Sequence, residues 1–345
     1  MMDLTINILL KLIIVLLIVL FCFSFYLSIK RLIEGYQLEK KSNYVNGKQN
    51  EWYRYFRGEK EFSPLLIPNN KYEIQGVEEI FLAYLTNLSN DTIQDKIKQF
   101  SNQYLKHHYQ KLLRSRKWST RMNAMYRIAD FHIDSLLSEC EKREGKKLSK
   151  EENFHLLKIY SIFHKSKFIN RFLTLSETFS EYEYKKLLMG VSPEILEGLI
   201  TRIEELPLPC QYSIIDTLGI KRNEDNLPFL EARLKNGDAE IRIRALKAIH
   251  EIGIILNQEE YLSFADSSIW EERLMITKLL GNLPLDDTLP YLEKLLQDES
   301  WWVRSQAAKT IGNGKNGNEM LQAFIETATD KYAVDIAYEV LRKGS

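Results

Sequence analysis

Arg242, Arg273 and Arg304 stand 31 residues apart, twice in succession, and that period limits the fold more than any other feature of the chain. Gly219, Gly281 and Gly312 fall in the same frame, with His250 in the one slot between them. Leu218, Ile249, Leu280 and Ile311 repeat beside them, and Ala245, Ile276 and Ala307 each follow an arginine by three. The segment Leu227-Pro-Phe-Leu-Glu returns as Leu289-Pro-Tyr-Leu-Glu, displaced by twice the period. Self-similarity at roughly 20 to 50 residues marks a stacked repeat architecture. Upstream, Trp118, Arg121, Ala124 and Ile128 reproduce the spacing of Trp301, Arg304, Ala307 and Ile311, but at an offset of 183, which is not a whole number of periods. Regular repeats are therefore expected over 193–345, and irregular helical repeats carrying insertions over 76–192.

Each period holds two helices. In one unit Leu227, Leu230 and Leu234 share a face, and in the helix after it Ile241, Ala245, Ala248, Ile249 and Ile252 do the same. Between them Asn236-Gly-Asp238, like Asp298-Glu-Ser300 later, supplies N-terminal caps. One such hairpin leaves an apolar stripe uncovered, and only a stacked neighbour closes it. Fifteen Gly and eight Pro in 345 residues also disfavour a turn-rich all-β fold. The expected class is all-α: an α-solenoid of helical hairpins with a repeat of about 31 residues, behind one N-terminal transmembrane helix.

Residues 227–253, LPFLEARLKNGDAEIRIRALKAIHEIG, and 289–312, LPYLEKLLQDESWWVRSQAAKTIG, resemble the HEAT-repeat family. The shared pattern is an apolar first helix, an Asp-containing turn, a Val/Ile-Arg pair and then small and apolar residues. The resemblance implies a structural ladder in which Arg121, Arg242, Arg273 and Arg304, with acids such as Asp298, bond along the array. The unit at 258–281 departs from the pattern, with Glu272 where an apolar residue is expected, and Asp335 stands at the arginine position of the last unit, as a polar cap would. For function the resemblance implies a protein-binding scaffold, although a few enzymes share the fold.

Leu12 to Ile29 are eighteen consecutive uncharged, mostly apolar residues, followed at once by Lys30 and Arg31. Eighteen helical residues rise about 27 Å, close to the hydrocarbon thickness of a bilayer, and Leu4 to Leu10 extend the span while Lys11 snorkels outward. A transmembrane helix over 4–29 is expected. A cleaved signal peptide fits less well, because the apolar run is long and no small-x-small cleavage site follows. Lys30, Arg31, Lys40 and Lys41 outweigh Lys11 on the other flank, which predicts a single-pass protein with a cytoplasmic C-terminal body. Free thiols at Cys140 and Cys210 suit that compartment. Residues 30–75 read as a juxtamembrane segment, with no periodic pattern beyond a continuation of the helix through Lys41. Within it Trp52-Tyr-Arg-Tyr-Phe-Arg57 suits either lipid headgroups or the start of the core, and Ser63-Pro64 and Ile67-Pro-Asn-Asn70 punctuate the entry to the main domain near residue 75.

The search for chemistry is mostly negative. Three cysteines make no disulfide framework or four-cysteine zinc site. The six histidines show no zinc-protease spacing, and Gly312-Asn-Gly-Lys-Asn-Gly317 reads as a helix-ending turn rather than a phosphate cradle. His250-Glu251 is a lone pair where the HEAT-fold di-iron hydroxylases carry several. No catalytic residue, metal or cofactor is assigned. Two surface features suit binding. Lys106, Lys111, Arg114, Arg116, Lys117, Arg121 and Arg127 form a basic stretch, suited to anionic lipid or an acidic partner if it is more than a solvated face. Trp118, Trp270 and Trp301 share a repeat position, either as core plugs or as anchors for a partner, and Trp302 is the candidate exposed aromatic. With 47 basic and 47 acidic side chains the chain has no global positive field, which argues against nucleic acid as a partner. The expected function is a membrane-anchored scaffold that binds a protein partner at the membrane, and membrane lipid through its N-terminal helix. An envelope-building enzyme such as a glycosyltransferase is the narrower partner class. The alternative is a HEAT-fold enzyme, a metal-dependent hydroxylase or a DNA-glycosylase-like protein.

Overall fold

A computed structural model describes residues 2–88, 90–175, 179–255 and 258–343, with side chains from Ile8 onward. Among the described residues there are helices and turns and no strand. The chain divides into two compact units, Met1–Phe163 and His164–Ser345.

The first unit is built on helix α1, Met2–Phe56, whose 55 residues rise about 82 Å. It is long and apolar enough to cross a membrane, and every side chain from Ile8 to Tyr36 is exposed. The expected juxtamembrane segment at 30–75 is thus half helix. No proline interrupts the chain before Pro64, so the helix persists through the charged residues after the span. From Tyr44 onward it gains a buried face. Trp52 is fully buried, with its ring 4.9 Å from both Phe81 and Phe100, and Phe56 is buried beside it. Of the aromatic stretch 52–57, Trp52 and Phe56 are therefore core, whereas Tyr53, Arg54 and Arg57 face solvent.

Helix α2, Lys71–Asn87, runs parallel to α1: Tyr72 meets Tyr36 and Tyr84 meets Phe56. The connection between them must return along α1, and the Tyr44 hydroxyl pins it by donating to Leu66 O at 2.7 Å. Helices α3, Asp91–Phe100, and α4, Lys106–Leu113, are joined by a π turn and run the opposite way. Lys96 donates to Tyr55 O at the end of α1, Phe100 lies against Trp52, and Tyr109 donates to Glu78 at 2.8 Å. Helix α5, Trp118–Asp130, reverses again; α6, Leu137–Glu144, follows the direction of α4, and α7, Lys150–Phe163, that of α5.

The second unit comprises α8 Lys165–Thr174, α9 Glu181–Leu188, α10 Pro193–Ile200, α11 Leu208–Lys221, α12 Leu227–Arg233, α13 Ala239–Ile252, α14 Gln258–Leu262, α15 Trp270–Leu279, α16 Leu285–Leu296, α17 Trp301–Asn313, α18 Gly317–Thr327 and α19 Lys331–Lys343. The odd-numbered helices from α9 to α19 pack one on the next in chain order, with the even-numbered ones completing the hairpins. This is an α-solenoid. Its recurring glycine slot has a steric cause: a Cβ on Gly219 would stand 2.7 Å from the Ala248 backbone, and one on Gly312 would stand 2.8 Å from Val340. Ala245, Ala248, Ile249, Ala307, Ala308 and Ile311, all on the faces the period picks out, are buried.

Candidate functional site

The four repeat arginines make the same two kinds of contact. Each donates back to the carbonyl six residues before it: Arg121 to Ser115 at 3.1 Å, Arg242 to Asn236 at 2.8 Å, Arg273 to Ser267 at 2.7 Å, and Arg304 to Asp298. Each also reaches forward to a carboxylate of the next hairpin. Arg121 pairs with Glu152, Arg242 with Glu272 and Arg273 with Asp298, all at 2.6 Å, and Arg304 pairs with Asp330 at 3.1 Å. The acid comes from the turn at Asp298 and Asp330, and from the helix at Glu152 and Glu272. Where a serine stands in the turn, it bonds the helix acid instead: Ser267 donates to Glu272 at 2.5 Å, and the Ser149 backbone donates to Glu152. Glu272, the departure from the HEAT pattern, is thus the acid Arg242 needs. Burial pushes the Glu152 carboxyl up, but the bonds from Arg121 and Ser149 outweigh it and hold the group below its ordinary range. Sequence reasoning named Asp298 and missed Glu152, Glu272 and Asp330. The available signal was an acid 25 to 31 residues after each arginine.

The basic stretch is partly neutralised. Arg114 and Lys142 each contact Glu139 at 2.9 Å, and hydrogen bonds from Lys142 and Arg114 bring that carboxyl down to about 2. Arg121 is a ladder residue, and Arg127 pairs with Glu78 and Asp130. Lys106, Lys111, Arg116 and Lys117 have no ion pair among the described residues, and all but Lys106 are exposed. Trp118 Nε1 donates to Ser149 Oγ at 3.1 Å, which brings the α6–α7 loop, with exposed Lys146 and Lys147, beside the α4–α5 loop. That second loop was not part of the sequence reading.

The tryptophans are not core plugs. Trp118, Trp270 and Trp301 each open a helix and are 48%, 37% and 54% exposed, because a first-turn side chain projects past the helix end. Trp302 is exposed too and meets Trp301 edge-on, with centroids 4.9 Å apart. Trp301 also lines a cleft of about 510 Å³ at the starts of α17 and α19, with Glu299, Arg304, Tyr332, Asp335, Ile336 and Glu339. Arg304 is held by Asp330, Glu299 by Arg273 and Glu339 by Lys343, which leaves Asp335 as the lining carboxylate with no ion pair among the described residues. Exposed aromatic rings beside one unpaired carboxylate suit a cationic side chain.

His250 lines a cleft of about 420 Å³ with Lys247, Lys278, Asn282 and Gln306. Burial holds its imidazole below the ordinary value, and the neighbouring Glu251 is engaged by Arg222 at 2.8 Å. Among the described residues no group of three His, Cys, Asp or Glu is placed to hold a metal ion. Burial pushes the Cys140 thiol up to about 12 and raises Cys210 as well, so both stay protonated at neutral pH.

Residues 259–342, from α14 through α19, match the family described as HEAT repeats. No curated protein matches the chain. Among solved structures, the crystal structure of an engineered protein is 15% identical, with 79% of this chain and 80% of that one covered and a TM-score of 0.27, a likeness too loose to carry any argument. The chain is a HEAT-like helical-repeat protein, and HEAT repeats generally mediate contacts between proteins.

Proposed function

We propose that this protein is a membrane-anchored scaffold: the apolar part of α1 crosses the bilayer, and the hairpins behind it hold a protein partner at the cytoplasmic surface. The observation that carries the reading is the continuity of α1. One helix runs from an exposed apolar stretch into the buried cluster of Trp52, Phe56, Phe81 and Phe100. The cations at 30, 31, 40 and 41 favour the cytoplasmic side for the folded body. Confinement to the membrane raises the local concentration of the array for partners there without any new contact. For the partner, the cleft at Trp301, Tyr332 and Asp335 favours a basic segment of a membrane protein; an envelope-building enzyme such as a glycosyltransferase is the narrower class.

Carbonate extraction of membranes and protease access to the C-terminus in sealed vesicles test the anchor and its orientation. Crosslinking pull-downs from membranes test the partner, comparing the natural chain with a Trp301→Ala, Trp302→Ala, Tyr332→Ala variant. Loss of a specific crosslinked protein is expected. An unchanged set of crosslinked proteins removes this edge as the partner site.

A further inference from the structure

The first unit fixes which of its loops lie nearest the bilayer. If α1 leaves the hydrocarbon near Ile29, α2 begins at the level of Tyr36, since the Tyr36 and Tyr72 rings meet. Helices α3 and α4 then run back toward the membrane, from Lys96 at the end of α1, past Trp52, to Tyr109 at Glu78. Leu113 lies about 6 Å farther along, so the α4–α5 loop ends near the level of Tyr36 to Lys40. Helix α6 runs the same way. Its Glu139 is reached by Gln110 as well as by the long side chain of Arg114, so the six residues from there to Gly145, about 9 Å of rise, bring the α6–α7 loop level with the α4–α5 loop, where Trp118 bonds Ser149. Both loops stand roughly 10 to 15 Å beyond Ile29. The headgroup layer takes up about 5 to 8 Å of that gap, and long cationic side chains with a Debye length of about 8 Å close the rest.

We infer that the α4–α5 and α6–α7 loops form an anionic-lipid docking face that seats the first unit on the membrane α1 emerges from. The inference rests on α1 crossing the bilayer. Arg116, Lys117, Lys146 and Lys147 are exposed there, with no carboxylate paired to any of them among the described residues. Of the acids at this end, Glu139 holds Arg114 and Lys142, Glu79 holds Lys41, Glu73 takes bonds from Asn69 and Asn70, and Glu151 takes one from Ser149, while exposed Glu39 on α1 stands next to Lys40. Trp118 sits among the four cations with its N–H already bonded to Ser149 and its ring exposed, the form of an interfacial aromatic. A surface cation of this kind contributes about fivefold to binding an anionic leaflet.

The test uses the full-length chain in nanodiscs of phosphatidylcholine alone or with one third phosphatidylglycerol, read by hydrogen exchange over the two loops. Exchange slowed at least about fivefold is expected only with phosphatidylglycerol, and reversed by high salt. It should also be lost when Arg116, Lys117, Lys146 and Lys147 are all changed to Gln, with helix content and exchange in α17–α19 unchanged as the check on folding. Carbonate extraction of the natural chain overturns the anchor and this inference together. An anchored chain whose loops exchange equally in both discs overturns this inference alone. Protection that appears in phosphatidylcholine discs only when membrane proteins are added also overturns it, in favour of an acidic protein partner.

Discussion

Glu272 is 2% exposed and held by Arg242 on one side and Ser267 on the other, so its carboxylate is tolerated in the stack only as part of that rung. Glu272→Val removes it and leaves Arg242 with backbone partners alone, which should cost about 1 to 3 kcal/mol in urea unfolding. Adding Ser267→Asp puts an acid in the turn, where Asp298 serves the next rung, and should recover more than half of the loss. A double variant no more stable than the single one would show that turn and helix acids are not equivalent. Titration works on the same residues. Glu152 has a lowered folded value, so its contribution is present above the ordinary carboxylate range near 4.5 and is lost as pH falls toward the folded value. His108, His132 and His250 are held below 6.5 by burial, so folding favours their neutral forms and stability declines as pH falls below 6.5. The melting temperature should therefore drop in two stages on acidification. His132→Asn, which suits the left-handed backbone there at φ 52°, should shrink the upper stage alone. The arginines were legible in the sequence because they keep one register. Of their acids only Asp298 was, because the carboxylate moves between turn and helix while the space it fills stays fixed.

Helix against helix, the glycine slot sets the closest approach. Gly219→Ala adds a Cβ 2.7 Å from the Ala248 backbone and must push α11 and α13 apart, so it should destabilise by about 1 to 3 kcal/mol despite alanine's better helix propensity. Gly237→Ala, with nothing within 4 Å of the added atom, should be close to neutral. Equal melting temperatures for the two variants would refute the steric account. This slot was readable from the 31-residue frame, since a missing side chain is itself a signal when it recurs. The length of α1 was readable only in part, through Lys41 and not on to Phe56. Residues 30–43 are mostly exposed and show no apolar period, although nothing in them breaks a helix. The tryptophans were ambiguous for another reason: a ring on the first turn satisfies the same spacing whether it tucks between repeats or projects beyond them. The basic region was visible only as the stretch from Lys106 to Arg127, because its second half, Lys146 and Lys147, is 30 residues beyond Arg116 and joins it through the Trp118 to Ser149 bond.

For the molecule on its membrane, the relevant quantity is the height at which α1 holds the first unit. Seven residues of strong helix formers inserted between Leu32 and Tyr36 add about 10 Å of rise and almost two whole turns, so the unit keeps its rotational setting but moves away from the lipid. Insertion into the membrane should persist, because the apolar stretch is untouched. The loops at 114–118 and 145–149 should lose their lipid-dependent protection, since the added rise exceeds a Debye length at physiological salt. A flexible Gly-Ser insert of the same length should behave differently. It lets the unit fold back to the surface, and protection should return in part at a loop-closure cost that grows only slowly with length. If both inserts abolish protection equally, α1 is not acting as a rigid post, and the height argument fails even if the chain remains anchored. If neither does, the loops owe their protection to something other than the lipid surface.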